Sequence, residues 1–196
     1  MTLIDSPVAN VANIARALRA AGADLDVTAD PARVATAAKL VLPGVGTFPA
    51  AMRWLNDTRI AGAIRGAAAN GASLLGICVG HQLLFDSSEE ITATPGLGLI
   101  GGTITKFDGT LPVPQIGWNK LTVQHSPLFD GIESGTAFYF VNSYAAGATA
   151  DTIATADYDG PFTAAVQRDR VFGVQFHPEK SSTAGLVVLR NFITWN

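Results

Sequence analysis

The 196-residue chain holds a single cysteine, and its neighbours are Gly76-Ile77-Cys78-Val79-Gly80-His81-Gln82. Gly76 and Gly80 stand two residues either side of the sulfur. G-x-C-x-G is the pattern of a nucleophile elbow with a thiol in place of a serine hydroxyl. A sharp strand-to-helix turn strains the nucleophile's backbone, and side chains at the flanking positions would clash there. The helix that begins beyond Cys78 favours negative charge at the sulfur, and its first N–H, on Val79, is free to face an oxyanion. A lone cysteine is more often a buried small hydrophobe. Paired glycines at a strand–helix junction reverse that preference and point to covalent catalysis.

A thiol nucleophile calls for a base, and three histidines are available: His81, His125 and His177. His81 is three residues beyond Cys78, placed to flank a pocket rather than face the sulfur. His125 sits in the polar turn Gln124-His125-Ser126-Pro127 and reads as a solvated loop residue. His177 ends an apolar run, Val171 to Phe176, and precedes Pro178-Glu179. A strand-end histidine has a fixed position, Pro178 stiffens the exit, and Glu179 can turn back to accept from the imidazole Nδ1. Cys78, His177 and Glu179 thus form a candidate triad in which the carboxylate fixes the tautomer and steadies the imidazolium. On its own, His-Pro-Glu is as readily a turn with a solvated carboxylate; the elbow upstream is what gives it meaning.

Pro43-Gly44-Val45-Gly46 supplies a third element, a glycine-rich loop at the carboxyl end of a predicted strand on the Cys78 side of the sheet. There backbone N–H groups can approach a ligand closely and reorient. Neither phosphate-binding glycine fingerprint is completed, and one cysteine with three scattered histidines has no metal-ligand spacing. No metal or cofactor is expected.

The elements that must position these groups alternate through the first half. Leu3-Ile4, Leu25–Val27, Lys39–Leu42 (stopped by Pro43-Gly44) and Ser73–Ile77 read as strands. Apolar residues at spacings of three and four predict a helix over Asn10–Ala21 that Gly22 ends, and helices follow over about Phe48–Leu55 and Ile60–Asn70. This alternation predicts an α/β fold with a doubly wound, largely parallel sheet whose functional loops lie at the strands' carboxyl ends. The second half is β-rich: Thr103–Phe107, Leu121–Val123, Ala137–Val141, Thr152–Ala156, Thr163–Val166 and Val171–Phe176 predict antiparallel or mixed strands added to the same sheet. A closing helix is expected over about Ala184–Thr194. No linker or repeat divides the chain, so residues 1–196 are expected to form one domain.

Composition sets the outer limits. A net charge of −3 argues against a strongly basic nucleic-acid surface. Mean hydropathy is +0.28, yet no stretch of 18 residues lacks charges or turn formers, so no membrane span is predicted. Met1-Thr2-Leu3-Ile4-Asp5 does not read as a signal peptide, and a single cysteine suits a reducing compartment, so a cytoplasmic location is expected.

Taken together, these residues resemble the class I, triad-type glutamine amidotransferase family. Gly76, Cys78, Gly80 and Gln82 match its G-x-C-x-G-x-Q elbow, His177-Pro178-Glu179 its catalytic His-Pro-Glu, and residues 43–46 its oxyanion strand. Pro114-x-Ile116-Gly117-Trp118-Asn119, Phe140-Val141-x-Ser143-Tyr144 and Lys180-Ser181 narrow the resemblance to the glutaminase subunits of imidazole glycerol phosphate synthases. The resemblance runs from about Leu3 to the C-terminus and implies a flavodoxin-like amidotransferase fold. It further implies hydrolysis of glutamine by Cys78, with His177 delivering a proton to departing ammonia. Val79 and the Val45-Gly46 segment would hold the oxyanion; Gly44, Gly46, Gln82, Ser143 and Tyr144 would line the glutamine site. Ammonia would pass to a separate (β/α)₈ cyclase subunit in a heterodimer, with Asn10, Trp118, Asn119 and Lys180 at the docking face. The chain departs from the family at Ser6–Ala9, where a glycine-containing turn is common. It also departs at Gln115 and Asn142, where histidines are usual, and at His81, where methionine is. A glutaminase of another pathway and a non-catalytic partner subunit on the same fold stay open beside this reading. The Ile116–Asn119 and Lys180-Ser181 matches weigh against the first, the intact triad against the second.

Overall fold

The computed structural model describes every residue except Val8, Ala9, Val45 and Asn196. Three strand–helix units open the chain: β1 (Thr2–Ile4) with α1 (Val11–Ala20), β2 (Asp26–Thr28) with α2 (Pro31–Ala35), and β3 (Lys39–Gly44) with α3 (Phe48–Asp57) and α4 (Ile60–Ala69). β4 (Ser73–Cys78) then delivers the cysteine to a single helical turn, α5 (Val79–Gln82). The β-rich half comprises β5 (Phe85–Ser88), β6 (Thr94–Pro95), β7 (Ile100–Lys106), β8 (Gln115–Lys120), β9 (Thr122–Val123), β10 (Ala137–Asn142), β11 (Tyr144–Ala146), β12 (Thr152–Asp157), β13 (Pro161–Arg168) and β14 (Val171–Val174). The 13-residue helix α6 (Ser182–Thr194) closes the described chain.

Local chemistry explains the helices. The Asn10 side chain caps α1 by accepting from the Asn13 N–H at 3.3 Å, and Gly22, at φ +104°, lets the chain leave it. Its Ile14, Ala15, Ala17 and Leu18 are buried, so the 3.6-residue periodicity is the face that packs on the core. Truncating the fully buried Leu18 to alanine would cost about 2–5 kcal/mol. Pro31 opens α2 behind its Asp30 cap, a five-residue helix too short for apolar periodicity to reveal.

The main sheet has the order β2-β1-β3-β4-β14-β13-β12-β9. β2, β1, β3, β4 and β14 are parallel to one another; β13, β12 and β9 extend the sheet antiparallel. The parallel part follows the 2-1-3-4-5 winding of doubly wound folds. α1 packs on α6, while α2 and α3 both pack on α4. No helix among the described residues is long and apolar enough to cross a membrane.

Two expectations need correction. The third strand does not stop before Pro43: pairing with β4 continues through Pro43 and Gly44, opposite Ile77 and Cys78. Not all the later strands join the main sheet either. β8 and β10 form a separate antiparallel ribbon, and β11, β7, β5 and β6 a four-stranded sheet. The ribbon's burial alternates strictly along β10, the sign of a strand with one packed and one wet face. Phe138 and Phe140 on the packed face meet Phe176, with ring centroids 4.3 and 5.8 Å away. That aromatic cluster fastens the ribbon beside the carboxyl end of β14.

Candidate active site

The strand–turn–helix at Cys78 is built by backbone contact. Cys78 sits at φ 55°, ψ −114°, a positive φ that is costly for a residue with a side chain. What holds it there is the close approach of α5 to β3 and β4. A Cβ on Gly80 would fall on the Leu42 carbonyl, and one on Gly76 would lie 2.5 Å from the Gly80 carbonyl oxygen. Both glycines are therefore steric requirements of the turn. Val79 follows as the first helical residue, whose N–H has no partner within the helix. The helix is one turn long, so what the helix itself contributes to stabilising charge at the sulfur comes from its first N–H groups rather than from a long dipole.

Cys78 is buried, and it faces a cavity of about 310 Å³ together with Val79, Gln82, Tyr144 and His177. Gly46, Ser143, Glu90 and Lys180 also line it, beside Pro114, Val141 and Asn142. His177 Nδ1 and Glu179 Oε1 are 2.8 Å apart. Burial disfavours the His177 imidazolium. The hydrogen bond and charge of Cys78 on one side, and of Glu179 on the other, outweigh it and push the pKa up to about 10. The group is thus an imidazolium at neutral pH, already holding the proton that a leaving group would need.

The ribbon fixes that imidazole from behind. The His177 N–H donates to the Tyr139 carbonyl at 2.9 Å. Ser181 Oγ donates to the His177 carbonyl at 2.6 Å and accepts from the Tyr139 N–H at 3.0 Å. Ser181 was visible in the sequence only as a family match; its clamp on the candidate triad emerges from the fold.

Among the other expected site residues, Gln82 lines the cavity but has spent both amide N–H groups, on the Tyr144 carbonyl and on Gln175 Oε1, each at 2.9 Å. Only its carbonyl is left for a ligand. Gly46, at φ +85°, borders the cavity. Gly44 does not; it gives the α5 backbone room, since a Cβ there would lie 2.5 Å from the Gly80 nitrogen. Val45, expected at the oxyanion hole, lies outside the described residues. His125 is exposed on its loop. His81, expected to flank the pocket, is instead wholly buried beneath the elbow, edge-on to Phe85 at 5.2 Å. Neither of its ring nitrogens has a partner among the described residues, and burial lowers its pKa to about 3. It stands apart from the proton chemistry.

Two residues at the site were not singled out from sequence. Glu90 reaches the cavity wall while Oε2 accepts from the Phe48 N–H at 2.6 Å, capping α3. Gln175, fully buried beyond β14, places Nε2 at 4.0 Å from Cys78 Sγ. Gln175 lay within an apolar run and Glu90 in a polar turn far from any motif, so neither carried a local signal.

Of the expected docking residues, Trp118 is 56% exposed beside Ile116 at 64%. Trp118 stands edge-on to Tyr139, and the Lys180 ammonium lies 5.6 Å from the centroid of that same ring. Asn119 is tied back to the Asp157 carbonyl at 2.6 Å. Asn10 is exposed at the start of α1. No cluster of three or more potential metal-ligating side chains occurs among the described residues.

The model of the glutamine amidotransferase class-I family matches residues 2–195. The imidazole glycerol phosphate synthase subunit HisH of Caulobacter vibrioides is 45% identical, over all of this chain and 98% of that protein. The subunit of the same name from Thermococcus kodakarensis is also 45% identical, over 98% of each chain. Among solved structures, a glutamine amidotransferase superposes with a TM-score of 0.77 at 17% identity, covering 97% of this chain and 96% of the other. PurLQS from Thermotoga maritima gives 0.76 at 20%, covering 97% and 95%. These two structures share the fold.

Proposed function

The chain belongs to the class-I glutamine amidotransferase family, and from that premise we propose that it is the glutaminase subunit of an imidazole glycerol phosphate synthase, acting in histidine biosynthesis. The observation that carries the reading is the convergence of Cys78 and His177 on one cavity, with Glu179 bonded to the far side of the imidazole.

In this reading the Cys78 thiolate attacks the side-chain amide carbon of glutamine. The N–H of Val79 and the Val45-Gly46 segment receive the oxyanion. As the C–N bond breaks, the His177 imidazolium gives its proton to the leaving nitrogen, and ammonia departs. Water then attacks the γ-glutamyl thioester with neutral His177 taking its proton, and glutamate leaves as the sulfur is released. Glu179 holds the imidazole in the tautomer and orientation that both steps use. The Glu90 carboxylate receives the substrate's α-ammonium, and Gln82 offers its carbonyl beside Ser143 and Tyr144. The reaction needs no metal or cofactor.

Ammonia is easily lost to water, which favours a partner seated over the cavity mouth. A (β/α)₈ cyclase subunit, making imidazole glycerol phosphate and the purine intermediate AICAR, docks as a heterodimer. Ile116 and Trp118 provide exposed apolar area, and Lys180 pairs with a carboxylate of the barrel; Asn10 and Asn119 lie nearby. Residues 1–196 act as one cytoplasmic domain. The test is glutamate release with and without the cyclase subunit and its ribonucleotide. Isolated chain should be nearly silent and the complex active, with a glutamine-like diazo-ketone adding one label per chain. Cys78→Ser should abolish labelling and turnover together. Lys180→Ala should weaken association while Cys78 stays alkylatable. Full activity of the monomer, unaffected by any cyclase, would overturn the partner, and labelling at another residue would overturn the nucleophile.

A further inference from the structure

Gln175 touches neither cavity nor solvent, yet it is the polar side chain that reaches the sulfur from below. Its Nε2 lies 4.0 Å from Cys78 Sγ, while the Val141 carbonyl lies 3.9 Å away on another side. These two contacts suit opposite states of the same atom. A thiol can donate its proton to the Val141 carbonyl; a thiolate has nothing to donate and instead accepts from the Gln175 amide.

An amide can be turned either way round, and here a chain of bonds decides. Gln82 Nε2 donates to the Tyr144 carbonyl and to Gln175 Oε1, both at 2.9 Å. With its oxygen committed to Gln82, Gln175 must present its NH₂ to the sulfur; the reverse orientation would set N–H against N–H. Gln175 is completely buried and its bond to Gln82 is buried with it, so water does not compete for that bond and each bond polarises the next. The middle of the chain, Gln82, stands in the cavity wall.

We propose that Gln175 is a positioning residue that stabilises the Cys78 thiolate, and that the Tyr144–Gln82–Gln175 chain of amides holds it in the donating orientation. The proposal rests on Cys78 being the nucleophile. It gives Gln82 a second duty: a ligand that engages the Gln82 carbonyl tightens a chain ending at the sulfur.

Iodoacetamide alkylation of the isolated chain tests this without glutamine or partner. Gln175→Glu keeps the acceptor for Gln82 and replaces the N–H donor with a carboxylate. Its alkylation rate at pH 7 should fall about tenfold or more, the scale of one charge-assisted hydrogen bond to a thiolate, and should recover as pH rises. Gln175→Met, which lacks the donor but adds no charge, should fall less. Gln82→Met, which frees the orientation alone, should fall less again, and it reads the same chain should the Gln175 variants not fold. In the glutaminase complex, Gln175→Met should lower kcat more than it changes KM. Wild-type alkylation elsewhere than Cys78 would overturn the nucleophile itself. Wild-type labelling at Cys78, with rates within twofold of it in folded Gln175→Glu or, failing that, Gln82→Met, would overturn the role of Gln175 alone.

Discussion

His177 above the elbow and His81 below it are nearly equally buried, at 6% and 0% exposure, yet their protons behave oppositely. The ceiling of the elbow gives His177 a carboxylate at 2.8 Å, a sulfur and a backbone clamp. The floor gives His81 the edge of Phe85 and the backbone of Gly173, where a Cβ would collide with the imidazole. One ring is held as a cation up to about pH 10, and the other stays neutral down to about pH 3. Burial alone therefore does not decide whether a histidine carries charge; the partners that meet it do.

Exchanging each ring for alanine breaks the comparison most directly. His177→Ala should lower turnover of the complex by roughly 10²–10⁴-fold, the usual share of a general acid–base, while leaving the chain folded. His81→Ala should do the reverse, lowering stability by about 2–5 kcal/mol through a cavity under the elbow while the folded fraction keeps its turnover. Equal loss of turnover in both, after correction for folding, would overturn His177 as the general acid and base. Glu179→Gln comes next: with the orienting charge gone but the ring present, activity should fall less than in His177→Ala.

Stability should respond to pH on opposite wings. The raised pKa of His177 gives stabilisation that is complete below about pH 6.5 and lost as pH climbs through about 10. His81, with its pKa depressed, takes up a proton on unfolding from about pH 6.5 downward; its share of stability is intact above that value and drains away toward pH 3. Denaturant melts of Cys78→Ala should show the alkaline wing shrink, because a partner of the imidazolium is gone. An alkaline wing of unchanged size would contradict the Cys78–His177 coupling. The smallest effect belongs to His81→Met. Methionine matches the apolar floor, so the change at pH 7.5 should stay within about 1.5 kcal/mol, with a growing advantage over the parent chain at pH 5. An unaltered acid wing would place that proton uptake on other groups.

The elbow was legible in sequence because its glycines flank the cysteine at a fixed spacing. Gly76 is required by the nearby Gly80 backbone, whereas Gly80 is required by the Leu42 carbonyl of β3, a contact that only the fold reveals. His177 and Glu179 were legible because they are two residues apart at a strand end. What depends on the fold bringing remote segments together left no such trace. Gln175 looks like one polar residue in a strand until β14 sets it beneath β4, and Glu90 looks like part of a surface turn. The β8–β10 ribbon illustrates the same limit. Ala137–Val141 read as a strand and its partner β8 did not, because pairing partners are chosen by packing, here by Phe138 and Phe140 on Phe176. Similarly, Pro43 is a poor strand residue by propensity, yet the close fit of Gly44 to the elbow carries β3 past it.

Glu90 serves the cavity and α3 at once, because the oxygen that accepts the Phe48 N–H belongs to a carboxylate on the cavity wall. A bound amino acid whose ammonium pins that carboxylate also pins the first turn of α3. Deuterium uptake at the Phe48 amide should then slow when the cavity is filled. The molecule would carry its own occupancy gauge in a helix with no part in the chemistry, readable by mass spectrometry before any turnover begins.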